Sequence, residues 1–253
     1  MAFFNSFSGY FVIHSPLLNP ERAEYFPAEL SRVGVHAFEK ISPLVLEKDD
    51  RRLAAYGSDG YKLVSLIDCF QRAIEIAESR SLESIVVFED DIKFRQNFEQ
   101  LWSQVESKVY STEWDILVLH RVRTDAGDFI IESKRQATDL IKIKDNLRAH
   151  CVILRQRAYA KFRRALTYCI AMGYPADFFY GVYAHEHDGA IYATTKNLTG
   201  QKGALKSGLQ FGYVRKPFFF PEFQCYRNKL EFIIVASARS VRRLLRKMMI
   251  CVL

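Results

Sequence analysis

Long apolar runs are missing from this sequence. Nowhere do the roughly 20 consecutive apolar residues occur that a helix needs to cross a bilayer, so any membrane contact is expected to be peripheral. Cysteine is scarce: five residues, at 69, 151, 169, 225 and 251, with no short paired spacing. That pattern excludes a zinc knuckle and a disulfide framework and predicts reduced thiols in a cytosolic compartment. The stretch from Met1 to Phe7 has neither a basic leading region nor a small-residue cleavage site, so no export is expected. Internal repeats and low-complexity linkers are lacking. So is a Gly-x-Ser-x-Gly elbow, which leaves serine-hydrolase chemistry without support. Gly200–Gly203 does not spell a phosphate loop, and there is no dinucleotide fingerprint.

Acid is absent after Glu231, while Arg239, Arg242, Arg243, Arg246 and Lys247 follow it. These five account for most of the formal net charge of +7. A nucleic-acid footprint would spread basic and stacking residues over a face, so no nucleic-acid partner is expected. Val241, Leu244, Leu245, Met248, Met249 and Val252 share the opposite helical face, which predicts a basic amphipathic helix over 231–253. It follows a single catalytic domain over 1–230.

With 49% apolar residues and 26% charged, the chain can bury a sizeable core. Tyr10–Ile13 reads as a strand and is followed by a turn and a helix from about Glu21 to Val33, with Pro20 at its start and Asn19 placed to cap it. Strand, loop and helix N-terminus in that order make an anion-binding corner. Ile67, Phe70, Ala73, Ile74 and Ala77 mark the buried face of a second helix, and Ile85–Phe88 is a short apolar run suited to a central strand. A helix over about Asn97–Val109, strands at Trp114–Leu119 and Cys151–Leu154, and a helix carrying Ala158, Phe162, Ala165, Leu166 and Cys169 continue the alternation. The fold class is therefore α/β, with a mostly parallel central sheet between helices. From Gly173 to Phe223 regularity declines into what reads as an extended flank of the active site.

Glu89, Asp90 and Asp91 come directly after the strand, at the carboxyl end where open α/β sheets place ligands. Three adjacent carboxylates raise one another's pKa unless a cation or hydrogen-bond donors neutralise them. Hard oxygen ligands suit Mn2+ or Mg2+, which can bridge a diphosphate; the alternative is a solvated acidic turn. Asp177, set among Pro175 and aromatic residues, is a candidate base if desolvation raises its pKa, or simply a helix cap. His185–Asp188 lacks a second ligand pair and reads as a polar loop. Lys202 lies in a flexible loop where it can meet a phosphate.

Taken in order, these segments resemble glycosyltransferase family 25, which includes lipooligosaccharide galactosyl- and glucosyltransferases. Phe11–His14 with Asn19–Arg22 is similar to that family's opening strand and Arg-containing helix start. Ile85–Asp91 is similar to its strand ending in Glu-Asp-Asp. Pro175–Asp177 and Leu198–Gln201 with Ser207 are similar to its later elements, and the likeness covers roughly residues 10 to 210. The chain departs from the family at Ile67–Asp68, where a Ser-His pair is usual, and at His14, where the family has Asn.

The resemblance implies a single GT-A-like, Rossmann-type domain and an inverting transfer of galactose or glucose from a nucleotide sugar, with UDP-hexose as the expected donor. It implies a saccharide or glycolipid acceptor in cell-surface polysaccharide or lipooligosaccharide synthesis. The site it implies has Asp91 and Asp90 on the metal, and His14, Arg22, Glu89, Asp90, Gln201 and Lys202 around the donor. Asp177 is the candidate for the base that inversion requires. The C-terminal helix would then hold the enzyme on an anionic surface at the cytoplasmic face of the inner membrane. The rival readings are a transferase-like scaffold without activity and a nucleic-acid module.

Overall fold

The computed structural model describes residues 6–17, 19–47, 50–53, 60–120, 137–143, 149–174, 176–187 and 189–202, with Phe3 and Asn146, apart from the side chains of 186 and 187. They belong to one compact unit made of Met1–Val122 and Arg135–Phe211. A second unit, Arg123–Lys134 with Gly212–Leu253, lies outside the described residues. So do the expected boundary after residue 230, the amphipathic helix over 231–253 and Ser207.

A central sheet is built from β1 (Gly9–Ile13), β2 (Glu39–Ile41), β3 (Ser84–Glu89), β5 (Ile116–Val118), β6 (Leu140–Ile143), β7 (Cys151–Arg155) and β8 (Ile191–Thr194), in the order β2-β1-β3-β7-β5-β8-β6. β1 runs parallel to β2 and to β3, and β5 runs parallel to β8. β7 is antiparallel to both of its neighbours and β6 is antiparallel to β8. Five of the seven strands, all but β6 and β7, therefore run in one direction, the mostly parallel sheet that the alternation of strands and helices predicts. A small antiparallel pair, β4 (Ile92–Phe94) with β9 (Thr199–Gln201), stands beside its carboxyl edge.

Side chains alternate across each strand, and the helices cover both faces. Val12, Val86, Phe88, Leu117 and Ile153 join the core that holds Phe26 and Leu30 of α1 (Arg22–Arg32), Leu101 and Trp102 of α3 (Phe98–Ser103), and Val109 of α4 (Glu106–Ser111). On the other face lie α2 (Gly60–Ser79), α5 (Tyr159–Met172) and α6 (Phe179–His187), whose Phe70, Phe162 and Phe179 meet edge-on or tilted at 4.4 to 6.2 Å. Each such buried aromatic contributes about 2–3 kcal/mol by removal of its surface from water. Gly173 ends α5 in the left-handed conformation at φ 69°, which allows the Tyr174 N–H to reach back to the Cys169 carbonyl.

The structure corrects three expectations. The stretch 97–109 is two short helices rather than one, because Val105 turns inward and Gln104 Oε1 accepts the Thr138 N–H at 2.8 Å. Asn19 makes a turn, not a side-chain cap: the Arg22 N–H donates to its carbonyl at 3.1 Å. The flank after Gly173 carries a 3-10 turn at Ala176–Phe178, then α6, β8 and β9; of its remainder, residues 203–223 are not described. Among the described residues no helix is long and apolar enough to cross a membrane.

Candidate functional site

Strand register decides which residues meet at the carboxyl edge. Ile13 of β1 is paired with both Ile41 and Glu89, so the next residues, His14 and Asp90, fall side by side. On the other side of β3, Phe88 is paired with Cys151, which brings the His150 carbonyl to the Glu89 N–H at 3.1 Å. Two residues past β5, His120 meets the His150 ring at 4.6 Å between centroids. β9 returns along β4, so that Gln201 is paired with Ile92 and the Lys202 N–H donates to the Asp91 carbonyl at 2.9 Å.

The three consecutive carboxylates divide into two environments. Asp90 is 4% exposed and has both oxygens engaged: Oδ2 accepts from His14 Nδ1 at 2.7 Å, and Oδ1 from Arg22 Nη1 at 2.5 Å. Facing a carboxylate, His14 Nδ1 carries the proton. Glu89, the last residue of β3, and Asp91, in the turn that follows, point together at one donor. Gln201 Nε2 lies 3.4 Å from Glu89 Oε2 and 3.5 Å from Asp91 Oδ2. Arg22 Nη1 is also 3.5 Å from Asp91 Oδ2. Asp91 is 7% exposed, and its Oδ1 makes no hydrogen bond to another described residue.

Electrostatics follow this division. Burial, then the charges of Asp91, Asp90 and Asp177, push Glu89 from its ordinary 4.5 up to about 8, against a smaller opposing effect of Arg22. Burial also raises Asp91, with Arg22 and Gln201 acting the other way and Asp90 adding to the rise. Negative charge is therefore under-compensated at Glu89 and Asp91, where a cation is wanted. The residues fit a hard divalent ion of the kind held by one or two carboxylates plus substrate phosphates, not an all-protein cage. Among the described residues no cluster of three His, Cys, Asp or Glu is arranged to hold a metal by itself.

The sequence-derived candidates come together in this region, with different partners. The anion in the corner at the start of α1 is the chain's own Asp90, and Arg22, 5% exposed, is turned onto it. An Arg at the first helical position opposes the helix dipole, which the neighbouring carboxylate offsets. Lys202 Nζ lies 3.8 Å from the Tyr25 ring centroid, and the Tyr25 hydroxyl donates to the Ile92 carbonyl at 3.0 Å. Asp177, half-buried in its 3-10 turn, is close enough to Glu89 and to the buried Tyr180 to raise both. His185 lies on helix α6, not in a loop, and is exposed; the side chains at 186–188 are not described. Trp114 is core, with Nε1 donating to the Val109 carbonyl at 2.7 Å. Ile67 is also core, and Asp68 is held by Arg72 at 2.9 Å and Arg52 at 3.2 Å.

Sequence reasoning missed His120, Asn146 and His150. His120 Nδ1 donates to the Thr199 carbonyl at 2.7 Å, and Asn146 Nδ2 donates to the His120 carbonyl at 3.0 Å. Asn146 also hydrogen-bonds Tyr180. The available signal was polar residues directly flanking two apolar strand segments, His120 after Leu119 and His150 before Cys151.

No protein-family profile matches the chain, and no curated protein matches it. Among solved structures, the chain is similar to A197 from STIV, with a TM-score of 0.36, 11% identity, and coverage of 73% of this chain and 79% of that one. It is similar to a glycosyltransferase involved in the glycosylation of the major capsid of PBCV-1, with a TM-score of 0.38, 10% identity and coverage of 73% and 79%. It is also similar to mouse xyloside xylosyltransferase 1 in its apo form, with a TM-score of 0.39, 11% identity and coverage of 72% and 83%. Overlays this loose carry no argument about activity; the functional reading rests on the site.

Proposed function

We propose that this chain is an inverting glycosyltransferase that moves a hexose from a nucleotide sugar, UDP-hexose in the first instance, to a saccharide or glycolipid hydroxyl. The observation that carries the reading is the pair Glu89 and Asp91. The two lie at the carboxyl edge of a mostly parallel sheet, with a buried Asp91 oxygen that accepts no hydrogen bond from another described residue and a Glu89 carboxyl pushed up to about 8.

Asp91 and Glu89 are the residues that would hold Mn2+ or Mg2+. Bound there, such an ion neutralises charge on the departing diphosphate. Gln201 keeps the two carboxylates on one side, and the Lys202 N–H fixes the Asp91 backbone. Lys202, held over Tyr25, contributes positive charge toward the phosphates. Asp177 takes the proton from the attacking acceptor hydroxyl, the role inversion requires of a base on the acceptor side. Its electrostatic effect on Glu89 supports that role. The basic C-terminal residues Arg239, Arg242, Arg243, Arg246 and Lys247 tether the enzyme to anionic lipid at the cytoplasmic face of the membrane, beside lipid-linked acceptors.

The test is a screen of nucleotide sugars by thermal shift with and without Mn2+, followed by metal-dependent hydrolysis of the best donor without acceptor. A donor that raises Tm only with Mn2+ and is slowly hydrolysed supports the enzyme. Absence of both effects across UDP-, GDP- and CMP-sugars would leave a non-catalytic scaffold as the reading. Loss of vesicle binding on deleting residues 238–253, with the fold retained, tests the tether.

A further inference from the structure

We propose that Asp90 is a positioning residue rather than a cation ligand: clamped by His14 and Arg22, it turns the chain so that Glu89 and Asp91 face the donor together. The inference rests on the reading of Glu89 and Asp91 as the cation pair and assigns the third carboxylate of the run a different task.

Three observations converge on it. Each Asp90 oxygen already has a buried partner, at 2.7 Å from His14 and 2.5 Å from Arg22, and all three side chains are about nineteen-twentieths buried. The partners come from two other elements, 76 and 68 residues away, so the clamp ties β1 and α1 to the end of β3. β3 ends at Glu89, and Asp90 and Asp91 form the turn into β4. With Asp90 held by the clamp, Gln201 lies near both Glu89 and Asp91, and Arg22 Nη1 is also 3.5 Å from Asp91 Oδ2. His14 is itself fixed, by its N–H on the Ile41 carbonyl at 3.1 Å and by its ring against Phe26 at 5.1 Å. A cation drawing on Asp90 would have to displace a guanidinium or an imidazole from its shortest hydrogen bond to a buried carboxylate.

The competing assignments differ in sign when His14 is removed. If Asp90 positions, His14→Ala loosens the pair and weakens Mn2+ binding. If Asp90 is a ligand, His14→Ala releases an oxygen from competition and strengthens it. The experiment measures Mn2+ affinity by electron paramagnetic resonance of the free ion, together with melting of the metal-free full chain, for the wild type, His14→Ala, His14→Gln, Asp90→Asn and Asp91→Asn.

The expected result is loss of Mn2+ affinity by about 100-fold or more in Asp91→Asn, which removes a ligand's charge. Asp90→Asn and His14→Ala should lose about tenfold, in the range seen for groups that orient metal ligands. Asp90→Asn should also melt about 10 °C lower, because it removes the nearer of the two carboxylates beside the buried Arg22 and the charge that His14 faces. His14→Gln, whose amide can still donate to Asp90, should recover most of both properties. Tighter Mn2+ binding in His14→Ala, or an Asp90→Asn that loses Mn2+ as completely as Asp91→Asn with unchanged melting, overturns the proposal. If the wild type binds no Mn2+, the cation reading falls, and the clamp is then judged on melting alone. Equal Tm values for wild type and Asp90→Asn, or for His14→Gln and His14→Ala, would end it.

Discussion

At the amino edge of the sheet, Asp115 accepts the Ala190 N–H at 3.0 Å and faces Arg157 Nε at 2.6 Å, while Arg155 lies over the Trp114 ring at 4.2 Å. At the carboxyl edge, Glu89 and Asp91 share one amide at 3.4 and 3.5 Å, and a buried oxygen of Asp91 accepts no hydrogen bond from another described residue. Both edges belong to one sheet and use the same residue types. Where each buried carboxylate has close donors, the arrangement serves the fold. Where compensation falls short, the site is poised for something that brings positive charge. Asp90 shows both logics side by side, since it belongs chemically to the second edge and is satisfied like the first.

The comparison can be broken most sharply at Asp91. Asp91→Asn is expected to cut metal-dependent transfer by about 10³-fold, several kcal/mol of lost charge stabilisation, while the melting temperature stays equal or rises because a like charge is gone. Steady-state rates with a saturating nucleotide sugar and circular-dichroism melting check this together. Next in size, Asp177→Asn should lower kcat by about 10²-fold or more with donor affinity unchanged, the signature of a group acting in the transition state. Unchanged kcat would move the base to another carboxylate.

The amino edge supplies the opposite control. Asp115→Ala leaves the Ala190 N–H without its acceptor and should cost about 2 kcal/mol, a Tm drop of about 6 °C, with donor affinity untouched. A further effect comes from pH. Glu89 sits at about 8 in the folded protein against an ordinary 4.5, so between those values the folded state keeps a proton that the unfolded chain has released. Stability contributed by this group is therefore lost as pH rises from about 5 to 8. Melting in EDTA should be lower at pH 8 than at pH 5.5, and Glu89→Gln should flatten that slope. The smallest effect is expected at the exposed pair of Arg80 and Glu39, where Arg80→Ala should leave Tm unchanged within error at ordinary salt.

Much of the fold was legible where periodicity is strong. β1, α1, α2, β3, β7 and α5 all lie where the apolar pattern places them, because the helices bury one face and expose the other while β3 and β7 are apolar runs buried on both faces. β2 and β6 were invisible, being three or four residues long and carrying Glu39 and Lys40, or Lys142, in mid-strand. α6 was missed because Phe179, Tyr180, Val182 and Tyr183 are all buried and leave no polar contrast for a 3.6-residue period to reveal. The Glu-Asp-Asp run was legible as a site, since three carboxylates after an apolar strand are unusual in composition. Its division was not: which way Asp90 turns depends on His14 and Arg22, 76 and 68 residues earlier, through the β1–β3 register. The raised carboxyl at Glu89 follows from the run itself, because Asp91 and Asp90, with Asp177, surround it.

The most direct test is calorimetric titration of UDP into the full-length wild type, once with Mn2+ and once with EDTA. The account expects saturable binding with Mn2+, at least about tenfold weaker in EDTA, because the diphosphate meets Glu89 and Asp91 only across a cation. Equal affinity in both conditions, or no binding in either, would contradict it.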